Sequence, residues 1–190
     1  VAEKGQSLAD DIARVAAARD ALPNARLKVD ANMGYTLGGA LDALRKLCEY
    51  GIIYAEQPVA SIEDMAALRF AIAKERLPAR IAADESIRKA EDPLKVARAN
   101  AADLMVIKAA PLGGVRRALA LVEQAQLPAV VSSALESSVG IGVGASLAAS
   151  LPTLRYGCGL GTVSLMAEDV TDEPLIARDG FMDLRAITPS

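Results

Sequence analysis

The chain has 190 residues, 52% hydrophobic and 24% charged, with 21 basic against 24 acidic side chains for a net charge of −3. That is the composition of a folded globular protein, and the lack of any basic block argues against nucleic acid as a partner. No apolar run reaches the roughly 18 residues of a membrane span, and the complete absence of His removes His-based general bases, Ser-His-Asp triads and most zinc sites.

The elements follow in order. Ser7 caps a helix, with Asp10 in the capping-box position, and Leu8, Ile12, Val15 and Ala16 recur at helical spacing until Pro23 stops it. Arg26 to Asn32 reads as a strand. Thr36 caps a second helix, whose apolar stripe is Leu41, Leu44, Leu47 and Cys48 and whose stop is Gly51. Ile52 to Glu56 is a strand ended by Pro58. Ser61, with Asp64 three residues on, opens a helix carrying Ile62, Met65, Leu68 and Ile72. Arg80 to Asp84 is a strand. Asp92-Pro93 starts a helix running to about Asn100, and Asp103 to Lys108 is the next strand. After the Pro111 to Gly114 loop comes a helix from Val115 to Ala125, with Leu119 and Val122 facing inward. Ala129 to Ser133 is a strand, Gly140 to Leu151 a small-residue helix able to pack closely, and Leu154 to Gly157 a last strand. Residues 1–163 are expected to form one α/β domain, and 164–190 a polar tail that wraps it or belongs to a capping region.

This is an α/β alternation of about six strands in repeats of about 25 residues. Near-continuous apolar strands suit a parallel sheet buried on both faces. Right-handed crossovers leave a doubly wound sheet or a barrel, and the even repeat favours the barrel. A full barrel needs eight strands and about 250 residues. The reading is therefore an incomplete barrel, with the missing strands expected upstream of Val1. Opening at Val1 rather than Met, the sequence is expected to have a processed or truncated N-terminus, and with no leader in view a cytoplasmic location is expected. Cys48 and Cys158 are too few for a disulfide framework or a thiolate metal site, and Cys48 reads as core packing.

Four consecutive strands each end on one charged residue: Asp30, Glu56, Asp84 and Lys108, separated by 26, 28 and 24 residues (30 to 56, 56 to 84, 84 to 108). Barrel enzymes place their chemistry at the C-terminal ends of strands, and neighbouring strands lie about 4.8 Å apart. Three carboxylates there converge in register and raise each other's pKa. A hard divalent cation relieves that repulsion, and an all-oxygen set without His or Cys suits Mg²⁺. Lys108 is either a neutral amine that takes a proton or an ammonium that steadies developing negative charge. A metal beside a lysine suggests removal of a proton from carbon next to a carboxylate, hence a small-molecule carboxylate substrate. A lone Asp at a strand end is more often a helix cap, but three on consecutive strands are hard to obtain that way. Asn32 orients a ligand or caps a turn. Lys28, on the same strand side as Asp30, pairs with Asp30 or Glu56 or contacts substrate. Ser133 and Gly159, at the last two strand ends, hold a substrate carboxylate or are ordinary loop residues. Glu85 and Glu136 read as supporting residues.

Val29-Asp30-Ala31-Asn32, Glu56-Gln57-Pro58, Ala83-Asp84-Glu85-Ser86 and Val106-Ile107-Lys108 resemble the signature of the enolase superfamily, over Leu27 to about Thr162. The resemblance implies a TIM-like (β/α)7β barrel, with Asp30, Glu56 and Asp84 on Mg²⁺ and Lys108 as one of two active-site lysines. The lack of His points away from the mandelate-racemase-like branch and toward the muconate-lactonizing branch. Dipeptide epimerases of that branch carry Asp-x-Asp at the last strand, where this chain has Cys158 to Thr162 without an acid. The segments Lys108 to Gly114 and Ser132 to Ser138 look most like o-succinylbenzoate synthases of the actinobacterial type. Such enzymes dehydrate 2-succinyl-6-hydroxy-2,4-cyclohexadiene-1-carboxylate in menaquinone biosynthesis. The family's other lysine lies in a Lys-x-Lys motif, expected immediately before Val1 together with the N-terminal capping domain; Lys4 is no substitute. An N-acylamino acid racemase and an inactive barrel fragment are the alternatives, and the oligomeric state stays open.

Overall fold

The computed structural model describes residues 7–187, so Lys4 lies outside the described residues. The strands β1 (Val29–Asp30), β2 (Ala55–Glu56), β3 (Ile81–Ala83), β4 (Leu104–Ile107) and β5 (Ala129–Val131) form one sheet in the order β1-β2-β3-β4-β5. The paired strands run parallel. Helices α1 (Leu8–Ala21), α2 (Leu37–Leu47), α3 (Ile62–Glu75), α4 (Asp92–Arg98), α5 (Val115–Ala125) and α6 (Ser138–Ser150) alternate with them. Among the described residues no helix is long and apolar enough to cross a membrane.

The regular strands are shorter than the apolar runs suggested, but backbone pairing extends past them. Ile53 N–H donates to Leu27 O (2.7 Å), Ala31 N–H to Glu56 O (3.0 Å) and Gln57 N–H to Ala82 O (2.9 Å). The expected strand over 154–157 does not form. Leu154 is exposed, and only Gly159 bridges Ser132, in parallel.

The chain divides into two compact units. The first runs to Ile87 and adds Leu94–Leu104; it holds α1, α2, α3 and β1 to β3. The expected caps are in place. Ser7 and Asp10 make the reciprocal capping box, Thr36 Oγ1 accepts from Gly39 N–H (3.2 Å), and Ser61 Oγ accepts from Asp64 N–H (3.0 Å). Gly51 takes a left-handed φ of 64° after the turn that follows α2. Met65, Leu68 and Ile72 of α3 are buried as their spacing requires, with Ala43, Leu44 and Leu47 of α2. Helix α1 departs from its pattern: Leu8, Ile12 and Val15 are only half-buried, and its one buried residue is Asp11. Tyr35 Oη donates to Asp11 Oδ2 (2.6 Å), and Arg14 pairs with the same carboxylate (3.3 Å). Arg69 on α3 donates through Nε and Nη2 to Asp103, whose other oxygen accepts Ile81 N–H (2.8 Å).

The second unit takes Arg88–Pro93 and Met105–Ser190. Within it β4 and β5 pair as Met105↔Ala129, Val106↔Val130 and Ile107↔Val131. The inward face of α5 is Ala118, Leu121 and Ala125, whereas Leu119 and Val122 are only half-buried. Helix α6 packs as tightly as its small residues suggested: a Cβ on Gly144 would meet Leu160 Cδ2 at 2.8 Å. In the tail, Asp169 accepts from the amide and hydroxyl of Ser138 at the start of α6, and Leu175 N–H donates to Ser138 Oγ (2.7 Å).

Candidate active site

In the first unit, Asp30 and Glu56 are direct neighbours in the parallel register. Glu56 pairs with Ala82, so Asp84 stands two residues further on, just past the end of β3 and beyond the last rung. The three carboxylates are therefore staggered rather than level as the sequence suggested. A two-residue offset keeps Asp84 on the same face, because side chains alternate with period two.

The carboxyls feel one another. Burial, then the charges of Asp30 and Asp84, push Glu56 up to about 8, while Lys28 opposes the shift and a hydrogen bond with Asp84 adds to it. Burial also raises Asp30, with the charge of Asp84 adding, against hydrogen bonds from Asn32. Asp84 is buried. Like charges held together in a poorly hydrated place raise one another's pKa. Among the described residues no group of three acidic or cysteine side chains is already gathered around one point that could hold an ion. The donor set itself is all oxygen, which is the chemistry a hard divalent cation takes. A cation there would offset the repulsion that raises Glu56 and Asp30.

The flanking residues now have definite places. Asn32 N–H donates to Asp30 Oδ1 (3.0 Å), so Asn32 holds that carboxylate in a local turn. Asn32 and Met33 both adopt left-handed φ, 45° and 59°. Lys28 lies over the Tyr54 ring, 5.7 Å from its centre, with its charge acting on Glu56. Gln57, the middle residue of Glu56-Gln57-Pro58, is fully buried and hydrogen-bonded to Asp84 and Ser86. Its signal was present: an uncharged polar residue at the end of an apolar run, between an acid and a proline.

In the second unit, Lys108 closes β4 and is half-buried. The turn after it is tied by Gly114 N–H to Ala109 O (2.8 Å), with Gly113 and Gly114 at φ 86° and 98°. Ser133 and Gly159 are brought together directly. Ser133 N–H and Oγ both donate to Gly159 O (2.9 and 3.1 Å), and Oγ also meets Thr162 Oγ1 (3.0 Å). Glycine is required at 159, where a Cβ would sit 2.8 Å from Ser132 Oγ.

Comparison with known proteins gives a consistent picture. The family described as "Enolase C-terminal domain-like" matches residues 2–189. The o-succinylbenzoate synthase of Thermobifida fusca is 49% identical over 191 residues, covering all of this chain and 59% of that protein. The o-succinylbenzoate synthase of Mycolicibacterium smegmatis is 53% identical over 190 residues, covering all of this chain and 57% of that protein. The chain thus spans a little under three fifths of the curated relatives it matches. Among solved structures, muconate lactonizing enzyme from Pseudomonas fluorescens, complexed with muconolactone, superposes with a TM-score of 0.85 at 32% identity, over 95% of this chain and 49% of that one.

Proposed function

The chain belongs to the enolase C-terminal domain-like family, and from that premise we propose that it carries the metal-ligating part of an o-succinylbenzoate synthase. Its five parallel strands are then part of a (β/α)7β barrel. The observation that carries this reading is identity of about one half, over the whole chain, to curated synthases. The neighbouring carboxyls of Asp30, Glu56 and Asp84 support it chemically.

Asp30, Glu56 and Asp84 are the residues that hold Mg²⁺. When bound, Mg²⁺ supplies the positive charge that stabilises a substrate carboxylate as its α-proton leaves. Asn32 keeps Asp30 aimed, and Lys28 favours the ionised form of Glu56. Lys108, as an ammonium, steadies the negative charge at its Nζ, while the lysine that the family carries on its Lys-x-Lys strand takes the proton. The substrate loses that proton and its hydroxyl as one water, and the ring becomes aromatic. Ser133 and Gly159 are the proposed contacts for a substrate carboxylate, through a Ser133 hydroxyl that turns away from Gly159 O to meet it.

The test is turnover of the cyclohexadiene carboxylate with Mg²⁺, followed by ultraviolet absorbance as the ring aromatises. Aromatisation that stops on chelating the metal is expected. Racemisation of N-acylamino acids with the cyclohexadiene untouched would replace this reading by the racemase.

A further inference from the structure

Gln57 is 0% exposed, yet polar, and its backbone is held at a φ of 34°. A non-glycine residue keeps such a conformation only where its surroundings compel it. Its side-chain amide is used at both ends. Nε2 donates to Val59 O (2.9 Å) and Ser86 Oγ (2.8 Å). Oε1 accepts Asp84 N–H (3.0 Å) and Ser86 N–H (3.1 Å). Its main chain donates to Ala82 O (2.9 Å) and accepts from Met33 N–H (2.7 Å). One residue thus reaches the turn after Asp30, the segment carrying Glu56 and the segment carrying Asp84.

The stagger of the strands explains why such a residue is needed. The rung from Gln57 N–H to Ala82 O lies two residues short of Asp84. Beyond it, the Asp84 amide is taken by the Gln57 side chain, which extends the β2–β3 ladder by one step. Sliding one segment past the other would strand several buried donors and acceptors at once.

We propose that Gln57 is the positioning residue of the carboxylate site, clamping the Asp84 segment to the Glu56 segment and the Asp30 turn so that the three carboxyls share one divalent cation. With its amide spent on protein partners, Gln57 acts through the carboxylates rather than as a ligand itself. The proposal rests on the metal reading given under Proposed function.

The test titrates Mg²⁺ calorimetrically into the wild-type protein and into Gln57→Leu, Ser86→Ala and Asp84→Asn, with thermal melting and amide exchange at Asp84 measured on each. Gln57→Leu is expected to bind Mg²⁺ about 10- to 100-fold more weakly, with exchange protection lost at Asp84. Ser86→Ala, which leaves the Asp84 bond intact and removes one of the two Nε2 bonds, is expected to weaken binding by a smaller factor. A folded Gln57→Leu with a lower melting temperature but wild-type Mg²⁺ affinity overturns the proposal and leaves Gln57 a packing residue. If Gln57→Leu does not fold, Ser86→Ala decides, and unchanged affinity overturns it. Asp84→Asn separates the two readings: wild-type Mg²⁺ affinity there sinks the metal site, and the proposal with it. Weakened binding in Asp84→Asn beside unchanged binding in Gln57→Leu sinks only the role of Gln57.

Discussion

Glu56→Gln is expected to stabilise the metal-free protein near neutral pH and to weaken its response to Mg²⁺ sharply. Glu56 sits half-buried beside Asp30 and Asp84, and burial and those charges hold its carboxyl at about 8 rather than the ordinary 4.5, against the pull of Lys28. A folded value above the unfolded one means that the stability is fully present below pH 4.5 and is lost as pH rises through about 8. Each pH unit in that window is worth about 1.4 kcal/mol, so by pH 7 the wild-type protein has given up about 3 kcal/mol that the neutral amide retains. For a chain of this size that is a gap of about 6–12 °C in melting temperature. Melting followed by circular dichroism in chelator, from pH 5 to 8, reads it directly. The two proteins should be close at pH 5 and diverge upward. Mg²⁺ at 100 times its Kd should then stabilise the wild type by about 2.7 kcal/mol and the variant far less. A gap independent of pH, or a variant less stable at pH 7, would refute the carboxylate repulsion on which the reasoning depends.

Asp103→Ala strips partners from Arg69 and from Ile81 N–H together and should cost about 2 kcal/mol, or about 4–8 °C in melting temperature; an unchanged melt would dismiss that link. Lys108→Ala should lower turnover by about 10²- to 10⁴-fold with Mg²⁺ affinity unaltered by calorimetry, and retained turnover would remove Lys108 from the chemistry. Gly144→Ala should cost about 1 kcal/mol in denaturant unfolding, because the new methyl meets Leu160 Cδ2 at 2.8 Å; a stabilised variant would show that Leu160 yields freely.

The local signals were legible because each depends on nearby residues. Ser7, Thr36 and Ser61 cap helices through bonds that span three residues, so their neighbours suffice to reveal them. The order Asp30, Glu56, Asp84, Lys108 was legible for a similar reason: an apolar run ending on a charge marks a buried strand reaching water. The buried Asp11 was not legible, since its partner Tyr35 lies 24 residues away. The strand expected at 154–157 failed because pairing needs a neighbour in space, and only Gly159 found one.

The sequence by itself determined the α/β alternation, the helix ends and which four charged residues close the strands, since helix caps and side-chain periodicity are short-range physics. Tertiary structure alone decided the stagger that carries Asp84 past Glu56, and the burial and neighbouring charges that raise the Glu56 carboxyl. It also turned Gln57 from one letter of a motif into the bond that takes up the stagger. Register and burial belong to pairs of distant segments, and no single segment encodes them.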